Sequence, residues 1–251
     1  MQSRSLMRWA VPMLFALAAA TTGVYAVHGV GRALADATTR AWLLAFYGIL
    51  RTGVALAFAA FTIGRAAPRR PSRSPLAFGA CAVAMASVIA FTGPGPSVPD
   101  GVVVAGELVA VTFCVWLLVA ALFLGRCFGI LPEARGLVTA GPYRLVRHPV
   151  YLGEIGACSG LAIAAASPAN MLVLAALVAG QAVRMRLEER ALTDAFPQYA
   201  SYAARTPRLW PRFRPAVAGG ILDAAKPFVE RAPTPSHHPS RADLSGVAGE
   251  G

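Results

Sequence analysis

Tyr143, Arg147, His148 and Tyr151 lie within the segment GPYRLVRHPVYLG, Gly141 to Gly153, and Arg184, Glu188 and Glu189 lie within RMRLEER, Arg184 to Arg190. Aromatic, guanidinium, imidazole and carboxylate groups so grouped can bind an anion, orient a charged ligand or move a proton. Pro149 suits the first turn of a helix, so His148 reads as its cap residue and the helix runs on through Tyr151 and Gly153. The free backbone N–H groups of that helix start, with Arg147 and His148 beside them, attract a carboxylate or a phosphate. The same two side chains could instead anchor the helix among lipid headgroups, and the residues alone leave both readings open.

The second cluster has helical spacing. Leu187, Ala191, Phe196 and Tyr199 can share a face turned to the membrane surface, with Arg184 and Glu188 one turn apart on another. The plain expectation is an amphipathic helix with an i,i+4 ion pair, although Arg before Glu is the weaker orientation. Two features point further: a second acid, Glu189, and the position of the cluster at the exit of an apolar hairpin whose entrance carries His148. Entrance and exit of a hairpin lie close together in space.

The elements that must position these clusters are apolar. The 251-residue chain is 56% hydrophobic and 14% charged, with a mean hydropathy of +0.56, which marks an integral membrane protein. Its net charge of +11 sits on arginines in short loops between apolar runs. The charge therefore reads as topology and contact with anionic lipid, and no nucleic-acid partner is expected.

A spanning helix needs about 20 mostly apolar residues. Four such runs lie between Arg8 and Arg32, between Arg40 and Arg65, from Leu76 to Thr92 and from Val102 to Gly125. Ile155 to Val183 is too long for one span, is broken at Ser167-Pro168, and fits a hairpin with somewhat short arms. The expected fold class is all-α: a polytopic membrane protein with four transmembrane helices, a C-terminal helical hairpin and a cytoplasmic amphipathic helix. The expected divisions are residues 1–125 as scaffold and substrate access, 126–213 as the catalytic region and 214–251 as a mostly disordered tail, with a short helix at Ile221 to Val229. The first apolar run exceeds a usual signal-peptide core and reads as an uncleaved helix. The basic segments Arg65 to Arg73, Arg126 to Arg147 and Arg184 onward belong on the cytoplasmic side, with both termini. The cell inner membrane is the expected location.

Cys81, Cys114, Cys127 and Cys158 are scattered and read as inert thiols, and His28, His237 and His238 lack ligand-type partners, so no metal site is expected. Arg51 falls near the middle of the second run, where a charge costs about 2.5–3.5 kcal/mol on insertion scales. It either faces a bundle cavity or snorkels. Glu107 reads as interfacial at the outer end of the fourth run.

The order GLVTAGPYRLVRHPVYLG, hairpin, RMRLEERAL, AFPQYASY and RTPRLWP, over Gly136 to Pro211, resembles the isoprenylcysteine carboxyl methyltransferase and phospholipid methyltransferase superfamily of membrane enzymes. The resemblance implies S-adenosylmethionine as cofactor, held by membrane helices; a strand followed by a GxGxxG-type loop is absent from the sequence. Carried over by position, Gly136, Leu137 and Val138 match backbone contacts to the cofactor and Tyr143 an aromatic contact. His148, Pro149, Val150 and Tyr151 match the segment that wraps the cofactor, Glu188 its polar ligand, and Arg184 the residue that contacts the methyl acceptor. Pro197 and Arg135 depart from the usual pattern outside the core motifs.

Methyl transfer from a sulfonium needs proximity, alignment and desolvation more than a strong acid or base. A carboxylate acceptor of isoprenylcysteine type is already a nucleophile, and Arg184 can grip it with two hydrogen bonds. A phospholipid amine or a small thiol would need a base, for which Glu189 is the unassigned acid. Arg184 and Glu189 are thus the candidate catalytic residues. The competing readings are a non-catalytic membrane module of the same fold and a small transporter; the polar residues cluster at one membrane face rather than near the midplane, which disfavours the transporter. Oligomeric state is left open.

Overall fold

The computed structural model describes residues 2–69, 74–95 and 97–211, with side chains from residue 11 onward. The expected tail helix at Ile221 to Val229 and the pair His237 and His238 lie outside the described residues. Within them the chain is helical without strands: α1 (Gln2–Asp36), α2 (Thr39–Ile63), α3 (Pro75–Ala90), α4 (Asp100–Leu124), α5 (Pro149–Ala165), α6 (Pro168–Ala195) and the short α7 (Tyr199–Arg205), with single 3-10 turns at Gly125–Cys127 and Gly141–Arg144.

Local chemistry sets the boundaries. Thr38 caps α2, its side chain accepting from Ala41 N at 3.2 Å. Pro75, Pro149 and Pro168 each open a helix at its first turn, where the missing N–H has no cost. The expected break at Ser167-Pro168 is present: Ala166 turns left-handed at φ 48° and Ser167 is extended. Helices α1 and α2 form one antiparallel pair, α4 and α5 another, α3 packs on α6, and α2 joins the two halves through α4.

The α4–α5 crossing is a contact of backbone on backbone. A Cβ on Gly160 would collide with Ala110 N and Gly106 O, and one on Gly106 with Ala164 N and Gly160 O. Small residues at facing positions let the helices approach this closely, and dispersion replaces the hydrophobic effect that lipid cannot supply.

Among the described residues, four helices are long and apolar enough to cross a membrane, but they are not the expected set. They are α1, α2, α4 and α6, whereas α3 and α5 are shorter apolar helices. The third expected span, Leu76 to Thr92, is a 16-residue helix, about 24 Å long at 1.5 Å per residue and shorter than the hydrocarbon layer. The second hairpin arm is longer than expected because α6 continues without a break through RMRLEER to Ala195.

That continuation corrects the expected surface helix. Arg184, Met185 and Glu189 are buried, and Phe196 and Tyr199 lie in a core cluster with Ala134, Leu137 and Tyr202 rather than on the membrane surface. Glu107 is buried within the bundle, with Arg40 Nε 3.9 Å from its Oε1. Arg51 is exposed on α2, its guanidinium 5.6 Å from the Tyr47 ring.

Candidate active site

The turn at Gly141–Arg144, the start of α5, the last turns of α6 and the segment Thr206 to Arg208 meet at one end of the bundle. Two backbone hydrogen bonds tie the last segment to the first motif, Arg147 N to Pro207 O at 2.8 Å and His148 N to Arg208 O at 3.1 Å. The Tyr202 hydroxyl donates to Tyr143 O at 2.6 Å. These bonds close the chain after α6 over the site like a strap. Arg69, from the loop after α2, adds its guanidinium 4.5 Å from the Phe196 ring centroid and its backbone N–H to Ala134 O at 2.8 Å.

Glu188 and Glu189 are neighbours on α6 with different partners. Tyr151 donates its hydroxyl to Glu188 Oε2 at 2.8 Å. Glu189 receives His148 Nε2 at 3.1 Å, Arg147 Nη1 at 3.2 Å, and Arg208 through Nε at 2.9 Å and Nη2 at 2.6 Å. The hydrogen bonds from Arg208 to this carboxylate hold its guanidinium charged above its usual range. His148 occupies the cap position of α5 but makes no side-chain cap. In this structure Arg147 and His148 both hold the protein's own Glu189.

The aromatic part of the site is compact: the His148 and Tyr151 rings stack at 5.4 Å, and the Arg184 guanidinium lies 4.9 Å from the Tyr151 ring centroid. Arg184 donates to Gln181 Oε1 and to Ile130 O, both at 2.9 Å; its expected salt bridge to Glu188 is replaced by these bonds.

Beside this network is a narrow recess lined by Gly136, Leu137, Val138, Tyr143, Arg147 and Glu188, with Cys127, Leu192, Tyr199 and Tyr202 among the other walls. Five of the expected cofactor positions thus share one cavity. His148, Pro149 and Tyr151 are buried behind it, and Val150 is half-buried at the start of α5. A Cβ on Gly136 would meet Cys127 Sγ at 2.5 Å, so a larger residue there would require the Cys127 side chain to move. Burial holds the Tyr143 hydroxyl well above its ordinary pKa, with Glu188 adding to the effect, and burial pushes Tyr199 up to about 12. Both phenols are neutral hydrogen-bonding walls at physiological pH.

Residues 98–199 match the family model described as phospholipid methyltransferase. That stretch is similar to the phospholipid methyltransferase family. This is a branch of the superfamily that the motifs resemble, and the matched stretch contains α4, α5, α6 and the turn that bears Tyr143. Among curated proteins, the chain is 44% identical over 77 residues to the cobalt-zinc-cadmium resistance protein CzcN of Cupriavidus metallidurans, covering 30% of this chain and 36% of the relative. It is 40% identical over 78 residues to the nickel-cobalt-cadmium resistance protein NccN of Alcaligenes xylosoxydans, again 30% and 36%. It is 37% identical over 82 residues to human phosphatidylethanolamine N-methyltransferase, covering 33% of this chain and 40% of the relative. The matches thus span 36–40% of the length of these relatives.

Sequence reasoning missed three members of the site. Glu154 on α5 receives Gln181 Nε2 at 2.5 Å, and Arg208 grips Glu189 from the strap. Glu154 had a readable signal, a lone acid inside an apolar helix. Gln181 had none, its partner lying 27 residues away, and Arg208 stood in RTPRLWP without a readable partner, 19 residues from Glu189.

Proposed function

We propose that the chain is an integral membrane methyltransferase that uses S-adenosylmethionine and acts on a lipophilic acceptor arriving from the bilayer. The observation that carries this reading is the convergence of Gly136, Leu137, Val138, Tyr143 and Glu188 on one recess. The residues suit the cofactor: Gly136 leaves room for close backbone contact, Tyr143 offers an aromatic wall, and Glu188 offers a carboxylate to ammonium or hydroxyl groups. When bound, the cofactor supplies an electrophilic methyl on a sulfonium.

The protein's own part is positioning. Tyr151 fixes the Glu188 carboxylate through its hydroxyl, while His148, Pro149 and Val150 form the helix start behind it. The strap through Pro207 and Arg208 shields that helix start from water and so strengthens every polar contact inside. Arg184 orients the acceptor. We assign Glu189 a positioning role in place of the basic role expected from the sequence, since a carboxylate already holding two arginines and a histidine is a poor proton acceptor.

A phospholipid-type acceptor is favoured over a prenylcysteine carboxylate by the family match and by the likeness to the human enzyme. The proposed orientation places the site on the cytoplasmic face of the inner membrane, supported by the arginines of residues 65–69, 126–147 and 184–208. The test is calorimetric titration of purified protein with S-adenosylmethionine, wild type beside Glu188→Ala and His148→Ala. Binding by wild type that is lost or much weakened in both variants supports the reading. No binding by folded wild type overturns it and leaves a non-catalytic membrane module.

A further inference from the structure

Tyr199 and Arg147 bring two unsatisfied polar atoms to one recess. The Tyr199 hydroxyl and Arg147 Nε are both buried without a hydrogen-bond partner, and both residues line the recess together with Glu188. Buried donors are normally satisfied, so two orphans in one recess call for a shared acceptor. The far end of Arg147 is already taken, its Nη1 lying 3.2 Å from Glu189 Oε1. A guanidinium carries donors alone and offers the Tyr199 hydroxyl proton no acceptor. Burial, with Glu189 adding to it, keeps the phenol protonated, so Tyr199 is a donor at physiological pH. The ring that carries the hydroxyl is held in place: it packs in the core cluster with Ala134, Leu137 and Phe196 and meets the Tyr202 ring edge-on at 6.1 Å. The Tyr202 hydroxyl is engaged by Tyr143 O and does not compete for the same acceptor.

We propose that Tyr199, together with Arg147 Nε, binds the carboxylate of the cofactor's amino-acid end while Glu188 takes its ammonium, so that Tyr199 is a specificity-determining residue for S-adenosylmethionine. The inference rests on the proposed methyltransferase reading and deepens it at the cofactor side. The charges decide which end of the cofactor enters. Two donors, one of them on a guanidinium, suit an oxyanion, and a carboxylate beside them suits a cation. Within S-adenosylmethionine the adenine and ribose are uncharged and the sulfonium is a cation, which leaves the carboxylate as its anion. Neither Tyr199 nor Arg147 stood among the expected cofactor positions, because the first read as part of a surface helix face and the second as an anchor at a helix start.

The test is titration calorimetry of the full-length protein with S-adenosylmethionine, with S-adenosylhomocysteine, which keeps the carboxylate without the sulfonium, and with decarboxylated S-adenosylmethionine, which keeps the ammonium and the sulfonium. Wild type should bind S-adenosylmethionine about tenfold or more tightly than its decarboxylated form, the scale of one hydrogen bond to a charged group. Tyr199→Phe keeps the buried ring. It should weaken binding of both carboxylate-bearing ligands about tenfold and leave the decarboxylated one unchanged, with a melting temperature close to that of wild type. Wild type that binds the decarboxylated form as tightly as S-adenosylmethionine overturns the role of Tyr199 without any variant. An equal loss for all three ligands in Tyr199→Phe also overturns it, because the hydroxyl would then shape the recess rather than read the carboxylate, and so does unchanged affinity for all three. Failure of folded wild type to bind S-adenosylmethionine at all overturns the methyltransferase reading itself.

Discussion

His148 Nε2 lies 3.1 Å from Glu189 Oε1, across 41 residues of chain, and joins the start of α5 to the last turns of α6. The pair is buried, with Arg147 and Arg208 on the same carboxylate. Removing the charge while keeping the shape should expose what it holds. Glu189→Gln leaves buried donors of Arg147 and His148 poorly matched, at a cost of about 1–3 kcal/mol. The expected result is a lower Tm in detergent together with weaker cofactor binding. A variant that melts with the wild type would show the cluster to be incidental.

Tyr151 separates packing from hydrogen bonding. Its ring stacks on His148 and lies under Arg184, and its hydroxyl fixes Glu188. Tyr151→Phe keeps the ring contacts and frees the carboxylate. S-adenosylmethionine affinity should fall about tenfold, the usual scale of one hydrogen bond to a charged group, with Tm little changed. Equal affinity in titration calorimetry would place Glu188 outside the cofactor site.

The extent to which the site was legible in sequence follows the range of the interactions. Pro149 and Ser167-Pro168 act within one turn, so the start of α5 and the hairpin break were readable from local chemistry. Glu188 and Glu189 looked like the solvated face of a separate helix because charge normally marks a helix leaving the membrane. The burial of Glu189, and the half-burial of Glu188, depend on the strap at Pro207 and Arg208 and on the loop that carries Ala134 and Leu137. The same distant packing turned Phe196 and Tyr199 inward. Glu154 was overlooked because its partner, Gln181, carries no charge and sits in the other arm.

The α4–α5 crossing tolerates no side chain at Gly160. A Cβ there meets backbone, which cannot rotate away as a flexible side chain can. Gly160→Val should force the helices apart, cost about 3 kcal/mol, and lower both Tm and the yield of folded protein. Gly101→Ala, where nothing lies within 4 Å of the added Cβ, is the matched control and should behave as wild type. Similar losses in both variants would mean that the close crossing is not what Gly160 protects.

Arg208 tests the strap from the other side of the same carboxylate. Its side chain is 51% exposed, against 11% for Glu189, so its loss uncovers little and water can replace it. Glu189 would still hold Arg147 and His148. Arg208→Ala should therefore cost only about 0.5–1 kcal/mol in stability, clearly less than Glu189→Gln. Because the backbone bond from His148 N to Arg208 O survives, the strap should stay in place and Arg208→Ala should retain most cofactor binding. Chemical denaturation of the two variants side by side measures the asymmetry. A larger loss from Arg208→Ala would mean that the guanidinium, rather than the buried histidine and arginine, sets the position of Glu189.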